Sequence, residues 1–247
     1  MMRMLRFLHD FGAVKALILW PKFSLTSYVM LSNLAEQGVL PRTIIDVGAN
    51  VGQFAVASAK LFPEVRVHSF EPQPECVTKL REHIAKLNNI IIYPFALGER
   101  EDEVTFHINS HNHSSSILPL AAAHRVSFPD AREVSEISVK VTTLDKVFDQ
   151  VELESPVLLK LDIQGYEAMA LRGASQTLRR VDYVVLEASF KPMYEGEPTF
   201  VEMIKLMEQF GFSLLRPIGW LADPKTGEIL QMDLIFSPKD RVDTTRS

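Results

Sequence analysis

Asp46, Gly48, Asn50 and Gly52 stand at alternate positions of the run DVGANVGQF, residues 46–54, directly after the apolar Thr43, Ile44 and Ile45. A strand, a tight glycine turn and a helix start in that order is where α/β proteins hold nucleotide-like cofactors. Glycine lets the backbone bend sharply and a ligand approach it closely. The first turn of the helix adds N–H groups without intrahelical partners, so an anionic group is expected there. Glu71 follows 25 positions after Asp46, at the end of a second strand-like run, VRVHSFEP. An acid at that strand tip can accept hydrogen bonds from both hydroxyls of a ribose.

The turn separates two cofactor classes. A dinucleotide site wants G-x-G-x-x-G, and here Asn50 stands at the middle position. The pattern D-x-G-x-N-x-G resembles instead the first motif of class I S-adenosylmethionine-dependent methyltransferases. Further along come FEPQP at 70–74, ALGER at 96–100, TTLDKV at 142–147 and LLKLDIQGYEAMALRGA at 158–174, with the serine-rich HNHSSSIL at 111–118. In that order they resemble the FkbM-type methyltransferases across roughly residues 43–190. Gln164 departs from the pattern, since many members carry Glu there. The resemblance implies S-adenosylmethionine as cofactor and O-methylation of a sugar or polyketide-type hydroxyl. It also implies cofactor contacts at Asp46, Gly48, Asn50, Gly52, Phe70 and Glu71, with Ala96 and Leu97 near the adenine and Asp162 at the methionine end. Two other readings stay open: an NAD-dependent oxidoreductase, and a non-catalytic protein that binds the cofactor or a partner on the same fold.

Methyl transfer to a hydroxyl needs alignment, exclusion of water and a base near the acceptor proton. Open sheets bind ligands beyond the C-terminal ends of their strands. Asp162 ends LLKLD, Glu187 ends VVLE, and His111 or His113 could approach from the serine-rich loop. Asp162, Glu187 and His113 are therefore the catalytic candidates. Each has a plainer role: Asp162 can orient the turn at Gly165 or contact the cofactor amine, and the histidines can be solvated. Glu167 is expected to favour a helix N-terminus electrostatically. Asp162, Glu187 and a histidine could also bind a divalent ion that lowers the acceptor pKa, the less favoured arrangement. Phe190, Tyr194 and Trp220 are candidates to stack on the acceptor, with core packing as the alternative. Ser114, Ser115 and Ser116 are candidates to hydrogen-bond it.

These residues need a Rossmann-like, mostly parallel sheet with helices on both faces, as the strand–helix alternation from Thr43 predicts. Strands are expected at 43–47, 65–70, 90–95, 157–161, 181–187, 212–216 and 231–236, and helices at 53–61, 74–87, 166–171 and 198–210. VTFHI at 104–108 and ISVKV at 137–141 break the alternation and predict a β-hairpin-like insertion carrying a long loop. Residues 1–40 are expected to form a helical cap over a domain at 41–240. Its second helix should span Phe23 to Gln37, between Pro21 and Gly38.

Within the cap, Leu5, Leu8, Phe11, Leu17 and Ile18 fit a helical face loosely, with Arg3, Arg6 and Lys15 between them. Peripheral membrane contact is the secondary reading there. Asp10 and Lys15 interrupt the apolar run, which fits neither a signal peptide nor a bilayer-spanning segment. The chain of 247 residues carries a formal charge of −5 without long charge runs, against a nucleic-acid surface. Cys76 is the only cysteine, so no intrachain disulfide forms and a cytoplasmic setting is expected.

Overall fold

Thr43–Val47 is buried at every position, and that continuous burial requires a cover on both faces of the strand. The computed structural model describes residues 11–110, 114–130, 132–223 and 225–240. In chain order, the first half runs α1 (Phe11–Leu19), α2 (Leu25–Glu36), β1 (Thr43–Val47), α3 (Gln53–Leu61), β2 (Arg66–Phe70), α4 (Pro74–Ile84), β3 (Ile90–Tyr93), β4 (Ala96–Leu97), β5 (Asp102–Asn109) and α5 (Ala122–Ser127). The second half runs β6 (Glu133–Thr142), α6 (Leu144–Phe148), β7 (Val157–Leu161), α7 (Glu167–Arg172), a 3-10 turn at Thr177–Arg180, β8 (Tyr183–Ser189), α8 (Phe200–Gln209), β9 (Phe212–Ala222) and β10 (Ile229–Pro238).

The main sheet has seven strands in the order β3-β2-β1-β7-β8-β10-β9. β1, β2, β3, β7 and β8 pair in parallel, and β10 is antiparallel to both of its neighbours. The chain grows outward from β1 to β3 and returns to place β7 on the other side of β1, so a switch point opens between β1 and β7. Ile45, Val47, Leu159 and Leu161 share one core with Phe148, Leu171 and Met203. Ile44, Leu158 and Val185 share the other with Leu31 and Leu34 of α2 and Phe54 of α3. The second helix of the expected cap is thus built into the domain core.

Several boundaries differ from expectation for local reasons. Ser24 caps α2, its side chain accepting from Ser27 N at 3.3 Å, and α8 starts at Phe200 because Thr199 and Glu202 form a capping box. The insertion is a sheet of three strands, β4-β6-β5, and α5 lies in its connection. β4 has two residues, too few to show a period, and it pairs parallel to Val141 and Thr142. α6 was also unforeseen, and its Thr143 cap accepts from Lys146 N at 3.1 Å. β9 and β10 run to 11 and 10 residues and form an antiparallel hairpin. In α1 the buried contacts are Ala13 and Ala16, while the expected face residues Leu17 and Ile18 are exposed; residues 1–10, with Leu5 and Leu8, lie outside the described residues. No helix among the described residues is long and apolar enough to cross a membrane.

Candidate active site

A cleft of about 440 Å³ opens at the C-terminal ends of β1, β2, β7 and β8. Gly48, Asn50, Phe70, Glu71, Ala96 and Leu97 line it on one side, and Asp162, Glu187 and Asp233 on the other. Gly48 has φ +80°, and a Cβ on it would lie 1.9 Å from the carbonyl oxygen of Asp162. Only glycine lets the β1 turn approach the end of β7 this closely. Gly52, at φ +91°, has a different role: a Cβ there would meet Leu80 Cδ1 at 2.5 Å, so it fits α3 against α4 and does not line the cleft.

The backbone N–H groups of residues 48–52 are all engaged before the helix starts. Gly48 N and Ala49 N both donate to Phe70 O, at 3.0 and 2.9 Å, and Gly52 N donates to Ala49 O at 2.8 Å. Val51 N donates to Asn50 Oδ1 at 2.7 Å. Asn50 N donates to Glu71 Oε2 at 2.8 Å, and Gln73 N donates to Glu71 Oε1 at 2.9 Å. Two donors from separate loops fix the plane of the Glu71 carboxylate, leaving each oxygen a second lone pair. Burial pushes this carboxyl up to about 7, against the lowering effect of the two N–H groups.

Beneath the turn lies a buried cation absent from the sequence reading. β1 and β7 pair Asp46 with Lys160 in register, and Lys160 Nζ stands 3.2 Å from Asp46 Oδ1 and 3.4 Å from Asp162 Oδ2. It also donates to Gly48 O at 3.3 Å and lies over the Phe54 ring, 5.3 Å from its centroid. Burial opposes the charge on Lys160, yet Asp46 and Asp162 together keep it protonated. Asp46 is fully buried and does not line the cleft, so its partner is Lys160 where a cofactor contact was expected. The available signal was a lysine inside the otherwise apolar run VLLKL.

Asp162 is half-exposed in the cleft, where Gln164 Nε2 donates to its Oδ1 at 2.8 Å. Gln164, at φ +59°, is held from outside β7. Tyr194 Oη donates to its Oε1 at 2.7 Å, and Ser116 Oγ donates to its carbonyl at 2.7 Å. Glu187 accepts from Gln231 Nε2 at 2.7 Å. Burial, then the neighbouring Asp162, Asp233, Glu167 and Glu197, holds the Glu187 carboxyl well above the ordinary range. Burial also lifts Asp233 to about 6 and Glu167 to about 8. Glu167 accepts from Ile163 N at 2.8 Å, which fastens the loop after β7.

For the aromatics the packing alternative holds at Tyr194 and Phe190. Tyr194 is buried and acts through its hydroxyl, and Phe190 stacks on Phe200 with centroids 4.8 Å apart. Neither Phe190 nor Trp220 lines the cleft. The serines divide their work: Ser115 lines this cleft, Ser116 holds Gln164, and the Ser114 carbonyl accepts from Tyr194 at 3.3 Å. His111 and His113 lie outside the described residues. The cluster within metal-ligand reach among the described residues is His107, Glu133 and Glu136 on the insertion, apart from the expected Asp162 and Glu187. Cys76 is buried, and burial pushes its thiol up to about 12.

Sheet order, switch-point cleft and an acid at the end of β2 together define a nucleoside-binding α/β domain of the class I methyltransferase type. The Methyltransferase FkbM domain family matches residues 46–214. The chain belongs to this family, and its domain is that of an S-adenosylmethionine-dependent methyltransferase. It is similar to 2-O-methyltransferase NoeI of Sinorhizobium fredii, 26% identical over 71% of this chain and 75% of that one. It is also similar to hexuronic acid methyltransferase AglP of Haloferax volcanii, 25% identical over 62% of this chain and 59% of that one. Among solved structures, methyltransferase FkbM from Methylobacillus flagellatus KT is similar with TM-score 0.49 and 14% identity, over 78% of this chain and 43% of that chain.

Proposed function

We propose that the protein transfers a methyl group from S-adenosylmethionine to a hydroxyl of a sugar or polyketide-type small molecule. The observation that carries this reading is one cleft with a carboxylate for a ribose diol at one end, Glu71, and acids at the other, Asp162 and Glu187. The cleft volume of about 440 Å³ lies in the range of small-molecule sites. The name of hexuronic acid methyltransferase AglP supports the sugar alternative, and that of 2-O-methyltransferase NoeI supports a hydroxyl acceptor.

The residues fit the cofactor as follows. Glu71 receives the ribose hydroxyls, Phe70, Ala96 and Leu97 wall the adenine, Gly48 and Asn50 shape the turn, and Asp162 faces the methionine amine. S-adenosylmethionine, when bound, would supply a sulfonium methyl as electrophile with the thioether sulfur as leaving group, which leaves the protein to position the acceptor hydroxyl and receive its proton. Glu187 or Asp162 takes that proton, and the Glu187 carboxyl, held above the ordinary range by burial, is the stronger base once ionised. A divalent ion on Asp162 and Glu187 is the less favoured arrangement, and activity that survives a strong chelator would dispose of it.

Of the expected cap, the described segment brings Ser24, Thr26, Ser27 and Met30 to the cleft, so in this reading it closes the cofactor site while its second helix packs into the domain core. The chain works in the cytoplasm without nucleic acid, and the exposed Leu17, Ile18 and Leu19 suit peripheral membrane contact. Calorimetric titration with S-adenosylhomocysteine, repeated with NAD, tests the cofactor. Micromolar binding of the former alone supports the reading, and binding of NAD alone overturns it.

A further inference from the structure

A second cleft, of about 270 Å³, lies on the far side of the acids. It shares Asp162, Gln164 and Glu187 with the first, so these three residues form a common wall. Its other walls come from elements that take no part in the cofactor end. His124 lies in α5 and Phe128 is its C-cap, Leu221 projects from β9, and Gln231 from β10. Leu221 and Gln231 are register partners across the hairpin. The insertion is tied down beside them: Ala121 N donates to Met193 O and Glu195 N to Pro119 O, both at 2.9 Å. Backbone hydrogen bonds between distant segments make this a formed site.

We infer that this second cleft is the acceptor subsite and that it takes a neutral sugar ring. The inference rests on the methyltransferase reading above. A volume of about 270 Å³ lies just under the usual range for drug-sized ligands, which begins at about 300 Å³, and suits one ring. Phe128 and Leu221 offer apolar surface to the C–H face of a pyranose, while Gln164, Gln231 and Ser114 offer hydrogen-bonding groups to its hydroxyls. Glu187 stands in both clefts, as a group that accepts the acceptor proton must.

The charge of the walls selects among sugars. The described lining residues include Asp162 and Glu187 and no lysine or arginine. The carboxylate of a uronic acid would enter beside Asp162 and Glu187, where burial and Asp162 already hold the Glu187 carboxyl up, and would find no lysine or arginine among the described lining residues, with His124 as the one basic side chain there. A neutral hexose carries no such penalty.

The test uses the full chain and S-adenosylmethionine with a tritiated methyl. Probes are the methyl glycosides of glucose, galactose and mannose, set against those of glucuronic and galacturonic acid. Transfer to a neutral glycoside should exceed transfer to any uronoside by about tenfold or more. Leu221→Trp, which fills the cleft, and Phe128→Trp, as an independent variant, should each lower transfer by about tenfold. Their S-adenosylhomocysteine affinity should stay within about twofold of the unaltered chain, which also reports correct folding. Leu221→Arg should narrow or reverse the preference against uronosides.

Equal or better transfer to uronosides overturns the neutral-ring assignment. Unchanged transfer in both tryptophan variants overturns the location, and absence of transfer to every glycoside by a chain that binds S-adenosylhomocysteine overturns the sugar-ring assignment. Failure of the unaltered chain to bind S-adenosylhomocysteine is a distinct result, because it removes the methyltransferase reading itself.

Discussion

Around Glu71 the hydrogen-bond donors come from Asn50 and Gln73, 21 and 2 positions away, both in loops of one β-α-β unit. Around the acids at the other end the partners come from much farther along the chain. Gln231 reaches Glu187 over 44 positions, while Tyr194 and Ser116 hold Gln164 over 30 and 48. The Glu71 carboxylate is therefore fixed wherever β1, its glycine turn and β2 form, while Ala96 and Leu97 of the same wall come with β4 of the insertion sheet. The second wall exists only when the insertion, β8 and the C-terminal hairpin are all in place. One fold can keep its cofactor end and change its acceptor by altering elements that never touch the cofactor.

Removing the cation between the two walls should have the largest effect. Lys160→Met leaves Asp46 fully buried without its partner, and breaking a buried pair from one side costs about 3–5 kcal/mol. Urea denaturation near neutral pH measures the loss. Asp46→Asn should also destabilise, and the double variant should lose less than the sum of the two singles. Strictly additive losses would show that the pair does not act as a unit.

The cofactor wall is tested next. Glu71→Ala should weaken S-adenosylhomocysteine binding by about 1–3 kcal/mol, since it removes a charged acceptor and frees Asn50 N and Gln73 N. Because burial raises this carboxyl to about 7, affinity in the unaltered chain should fall as pH drops from about 8 to about 6. The alanine variant should lose that slope. Unchanged affinity in Glu71→Ala would remove the ribose assignment.

The acid-rich wall carries a stability cost with a definite sign. Glu167 is raised from 4.5 to about 8 by burial, so its contribution is complete below pH 4.5 and is lost as pH rises through about 8. Glu167→Gln retains an acceptor for Ile163 N and cannot ionise. It should be more stable than the unaltered chain above pH 8, by on the order of 2 kcal/mol, and should gain nothing near pH 5. Denaturation midpoints across that interval check the crossover.

The same contrast explains what the sequence made legible. β1 and α3 fall where periodicity and the glycine turn place them, and Glu71 reaches the cleft, because each depends on neighbours in one β-α-β unit. Asp46 stands outside the cleft lining for a physical reason: its burial is decided by register with Lys160, 114 positions away, which no local pattern reports. Tyr194 follows a strand end, so its sequence position leaves acceptor stacking and core packing equally open. Its burial depends on contact with the insertion through the Leu120–Tyr194 bridge. β4 escaped detection because two residues carry no period.

Tyr194→Phe should have the smallest effect, and it separates the walls most cleanly. It removes the hydroxyl that donates to Gln164 Oε1 while keeping the ring against His124, whose centroid lies 5.7 Å away. The lost hydrogen bond should cost about 1 kcal/mol of stability. Gln164 also donates to Asp162, so release of its amide should loosen the acid at the boundary between the clefts. S-adenosylhomocysteine affinity should stay near its original value, because Glu71 and its donors are untouched, while methyl transfer to an accepted glycoside should fall. A fall in cofactor affinity as large as the fall in transfer would show that Asp162 is held for the cofactor, and that the boundary between the walls lies on its acceptor side.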